Sequence, residues 1–90
     1  NGNDAFVDIY PNPVISGGEL KLIFNSTDKG LAMFSIFDLS GRKVFEKNIL
    51  SSVQTQSVML PLLSAGMYES VVSYDGGRVH RKLVVNRARE

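Results

Sequence analysis

The sequence predicts an all-β domain, an antiparallel immunoglobulin-like β-sandwich of about seven strands. Three observations predict it. Apolar residues come in runs of four to eight, and none holds an i, i+3, i+4, i+7 pattern over eleven positions. Each run is closed by turn-forming residues. The turns recur every eight to twelve residues along a chain of 90, which is the spacing of an immunoglobulin-sized sandwich.

The first strand is expected from Ala5 to Tyr10, with Phe6 and Val7 offering apolar area to either face. Pro11-Asn12-Pro13 stops it, because proline has no N–H to give to a ladder. Ser16-Gly17-Gly18 turns the chain into a second strand. There Leu20, Leu22 and Phe24 share one face, with Glu19, Lys21 and Asn25 on the other. Asn25 to Gly30 is a loop of turn formers. The third strand, Leu31 to Asp38, is apolar on both faces, so it is expected to be central and covered on each side. Asp38-Leu39-Ser40-Gly41-Arg42 suits a type I turn with a glycine bulge, which makes a hairpin with a fourth strand, Lys43 to Ile49. A more polar fifth strand runs from Val53 to Leu60, and Pro61 to Gly66 is an apolar crossover. Asp75-Gly76-Gly77 joins strands six (Met67 to Tyr74) and seven (Val79 to Val85) as a second hairpin. The polar residues 1–4 read as a linker, 5–87 as the domain, and 88–90 as a tail.

Composition narrows the chemistry. There is no cysteine, so there is neither a disulfide framework nor a thiolate metal site. One histidine excludes the usual zinc sets, and the acids never form a D-x-D-x-D-G calcium loop. No cofactor is expected. His80 alternates with Val79 and Arg81 on a strand, and no serine lies in a G-x-S-x-G elbow, so catalysis is not expected. No apolar run approaches the ~20 residues of a membrane helix.

Ten basic residues against nine acidic give a net charge of +1, yet Arg78, Arg81, Lys82, Arg87 and Arg89 all fall in the last thirteen positions. Such a strand either resists edge-to-edge pairing or docks an acidic protein surface. Nucleic acid fits poorly, because no aromatic platform interleaves with the basic residues. Tyr68 and Tyr74 share one face of strand six, as a sugar-stacking pair or as half-buried rings.

Four segments together resemble one family. They are Tyr10-Pro11-Asn12-Pro13, Phe37-Asp38-Leu39-Ser40-Gly41-Arg42-Lys43-Val44, Leu63-Ser64-Ala65-Gly66-Met67-Tyr68 and Lys82-Leu83-Val84-Val85. In order and spacing they are similar to the type A C-terminal sorting domain of cargo proteins secreted by the type IX system of Bacteroidetes, over roughly residues 7 to 87. The resemblance implies an immunoglobulin-like sandwich that is not an enzyme. It implies an address for a larger cargo joined upstream, carried through the periplasm to the cell surface or released. The partners implied are the type IX translocon, its outer-membrane shuttle protein and a sortase that removes the domain near residues 1–5. Pro11, Asn12, Pro13, Gly41, Gly66 and Tyr68 match its motifs, with an unusual backbone angle expected at Gly66. Recognition is expected at Arg81, Lys82, Leu83, Val84, Val85 and Arg87, where a terminal strand could offer backbone and charge to a partner. An accessory immunoglobulin-like module that binds sugar or protein on a surface protein is the alternative.

Overall fold

The structure, a computed structural model, describes residues 6–24, 31–50, 55–74 and 77–88, with side chains from residue 8 onward. The described residues form eight strands: β1 (Phe6–Tyr10), β2 (Val14–Ile15), β3 (Glu19–Phe24), β4 (Leu31–Phe37), β5 (Lys43–Leu50), β6 (Thr55–Met59), β7 (Gly66–Tyr74) and β8 (Gly77–Asn86). They form two sheets, ordered β1-β3-β6 and β2-β8-β7-β4-β5. The linker, the loop from Asn25 to Gly30, residues 53–54 of the expected fifth strand, the Asp75-Gly76 turn and the last two residues lie outside the described residues.

The core follows from alternation. Leu20, Leu22 and Phe24 of β3 are buried on one face, as expected for a period of two. From the other sheet, Ala32, Phe34 and Ile36 of β4, Val72 of β7, and Leu83 and Val85 of β8 meet them. Phe34 stands edge-on to Phe45 at 6.2 Å between centroids and 69° between planes, a favoured aromatic geometry. The Pro61 to Ala65 segment carries the chain from β6 in one sheet to β7 in the other, as the crossover reading expects.

Two expectations need correction. Among the described residues there are eight strands where about seven were expected, and one pairing is parallel: β2 lies beside β8, with Val14 opposite Val85 and Ile15 opposite Asn86. Two residues between Pro13 and Ser16 are too few to show alternation, so the element is invisible in sequence. Second, β4 is central, between β7 and β5, but its outer face is only partly covered, with Ser35 buried between less covered neighbours. Its outer residues Met33 and Phe37 are half-buried beneath an open groove of about 570 Å³, shared with Val71 and charged neighbours.

Candidate functional site

The β4–β5 hairpin closes as its sequence dictates. The Gly41 N–H donates to the Asp38 carbonyl at 2.9 Å, and Gly41 takes φ +89°, a conformation that costs any residue with a Cβ. Asp38 Oδ1 accepts from the Ser40 hydroxyl at 2.6 Å and from the Ser40 and Arg42 N–H groups at 3.0 Å each. The Ser40 hydroxyl first, then the Arg42 N–H, hold the Asp38 carboxyl below its ordinary value, with the Arg42 charge assisting.

The other motif segments meet at the same end of the sandwich. Tyr10-Pro11 and Asn12-Pro13 are both cis peptides. This Pro-Asn-Pro turn lifts the chain off the three-stranded sheet, where β1 pairs with β3, and sets it against β8. The Asn12 amide then acts as a short piece of strand. Its Nδ2 donates to the Lys82 carbonyl at 2.8 Å, and its Oδ1 accepts from the Val84 N–H at 2.9 Å. The Ser16 N–H continues the contact to the Asn86 carbonyl at 2.9 Å. The Ser16 hydroxyl donates to the Leu63 carbonyl and accepts from the Leu63 N–H, both at 2.8 Å.

Tyr68 is buried, and its hydroxyl donates to the Ser64 carbonyl at 2.6 Å. A buried tyrosine bonded to backbone a few residues upstream is the device that fixes corners in immunoglobulin-type sandwiches. Gly66, opposite Val85 at the start of β7, takes φ +153°. Tyr74 also turns inward, packed against the core. The tyrosine pair is therefore no sugar platform: positions 68, 70, 72 and 74 all point between the sheets.

The expected recognition residues divide by face. Leu83 and Val85 are fully buried, and Val84 is half-buried. The side chains of the first two pack into the core and hold β8 in place. Arg81, Lys82 and Arg87 are exposed. Arg78 and His80 lie on the same outward face as Lys82, three alternate positions of one strand. Lys82 sits opposite Glu69 across the β7–β8 ladder, and Glu69 Oε2 lies 2.7 Å from His80 Nδ1. No serine hydroxyl bonds His80 among the described residues, nor do any of them group three or more metal-binding side chains. Sequence reasoning missed Asn12 as the residue that joins the first motif to the last. A lone asparagine between prolines reads as a turn former, and nothing local reveals a partner near the far end of the chain.

The outer edge of β8 is occupied at its C-terminal half: Asn12 bonds Lys82 and Val84, and β2 pairs with Val85 and Asn86.

Comparison with known proteins agrees with this architecture. The family model described as "Secretion system C-terminal sorting domain" matches residues 8–86. A search of curated proteins finds no match. Among solved structures, the crystal structure of CopC from Methylosinus trichosporium OB3b is similar, with a TM-score of 0.58, 22% identity and 97% of each chain covered. At that identity the likeness is one of fold. Among the described residues no helix is long and apolar enough to cross a membrane.

Proposed function

Because this chain belongs to the family of secretion-system C-terminal sorting domains, we propose that it is the folded export address of a larger cargo, read by the type IX translocon and its outer-membrane shuttle protein. The single observation that carries the reading is the family match over residues 8–86, nearly the whole chain. The cargo lies upstream in cis, passes through the periplasm, and reaches the cell surface or the medium. A surface sortase then cuts the domain away near residues 1–5.

The fold supports an address rather than a catalyst by what it displays. Its conspicuous surface feature is a basic strand, with Arg78, Arg81, Lys82 and Arg87 exposed. Charges arranged this way steer and orient an acidic partner more than they add raw affinity. We assign recognition to Arg81, Lys82 and Arg87, with Leu83, Val84 and Val85 holding the strand in place.

The test reverses charge without removing a strand. In a cell that exports the domain fused to a reporter, Arg81→Glu with Lys82→Glu places a carboxylate opposite Glu69, which costs about 0.5–1 kcal/mol. The domain stays folded by circular dichroism. Surface reporter falls by roughly tenfold, the change expected if ~1.4 kcal/mol of docking is lost. Undiminished export by the folded variant would remove the basic strand from the recognition surface.

A further inference from the structure

The outer edge of β8 is divided in two. Even-numbered residues of β8 aim their backbone groups away from β7: the Val84 N–H and the Lys82 carbonyl bond Asn12, and the Asn86 carbonyl accepts from Ser16. By the same alternation the N–H and C=O of Arg78 and His80 point outward. From residue 82 onward this edge is filled. From Gly77 to Arg81 it has no strand neighbour among the described residues. What covers it there is a side chain: Arg81 Nη1 donates to the His80 carbonyl at 3.1 Å.

An open edge is a template for another strand. Its charges select the kind of strand. Arg78, His80 and Lys82 are exposed on the outer face, and Arg81 folds over the edge itself. A second copy of this chain, paired edge to edge, would set Arg78, Arg81 and Lys82 against their own counterparts, which is destabilising. A segment with carboxylates at alternate positions would instead place each acid beside a basic residue.

We propose that the Gly77–Arg81 edge of β8 is a strand-addition site for an extended, acidic segment of the export machinery. The proposal rests on the sorting role, and it places the backbone contact on the half of β8 that precedes Lys82. On docking, the Arg81 guanidinium passes from the His80 carbonyl to a carboxylate of the incoming strand.

Two measurements test it. The first uses the 90-residue chain labelled with nitrogen-15 and a synthetic peptide of alternating glutamate and threonine. Hydrogen exchange at the Arg78 and His80 amides should slow by roughly tenfold or more, while the alternating lysine and threonine peptide has no effect. Unchanged exchange at both amides, or protection confined to the β5 edge, overturns the proposal. The second is reporter export by Arg78→Pro, which deletes an outward N–H and leaves the ladder to β7 intact, beside Arg78→Thr, which removes only the charge. Arg78→Pro should export roughly tenfold less than Arg78→Thr, the equivalent of ~1.4 kcal/mol. Equal export by the two overturns strand addition while the sorting role stands. If the unmodified fusion itself is not exported, the sorting role fails, and the exchange measurement still decides what the edge binds.

Discussion

Asp38 organises the β4–β5 turn with a single carboxylate oxygen, which accepts three hydrogen bonds from Ser40 and Arg42. Those bonds favour the ionised form and lower its pKa. A group with a lowered folded pKa contributes stability that is fully present above its unfolded value and is lost as pH falls through the folded one. Asp38→Asn should therefore melt below the parent at neutral pH, with the gap closing as the pH drops through and below the ordinary aspartate range. Thermal melts of both proteins across that range check it, and a gap independent of pH would contradict it. In the core, Phe34 is fully buried and meets Phe45 edge-on. Phe34→Ala should cost about 3–5 kcal/mol, a large share of the ~5–15 kcal/mol available to a domain. Urea titration should show the midpoint shifted with little change in slope.

At the scale of elements, the segment from Asn12 to Gly17 clasps β8 and the Pro61–Ala65 crossover together. The Gly17 N–H reaches the Pro61 carbonyl at 3.2 Å, alongside the Ser16 bonds to Leu63. Asn12→Ala removes two hydrogen bonds to β8 and should cost about 1–2 kcal/mol. Asn12→Asp keeps the acceptor for Val84 but loses the donor to Lys82, so it should fall between. Chemical denaturation of the three proteins checks the order. Most strands were legible in the sequence, because Leu20, Leu22 and Phe24, or Ala32, Phe34 and Ile36, announce a buried face through a period of two. The Asp38–Arg42 turn was legible because Asp and Gly fall where the backbone needs an acceptor and a positive φ. The clasp was not. A two-residue strand carries no period, and Asn12 bonds Lys82 and Val84 at the far end of the chain, a relation that only the closed fold creates.

For the molecule as a whole, the motif segments serve one end of the sandwich. Pro-Asn-Pro meets Lys-Leu-Val-Val through Asn12, Ser16 meets Leu63, and Tyr68 ties its own corner to Ser64. Leu39 of the hairpin turn lies against the same shallow hollow as Met67 and Lys82. Much of the family pattern is thus engaged in folding, while Arg78, Arg81 and Lys82 of β8 face outward. A net charge of +1 hides this segregation. The most direct test of the sorting role is sufficiency. Residues 1–90 are fused to the C-terminus of a periplasmic reporter in a type IX-competent cell, and reporter exposed to external protease is measured on intact cells. Reporter at the surface or in the medium, lost when the translocon is deleted, is the expected result. Reporter retained in the periplasm beside a folded domain would contradict the role.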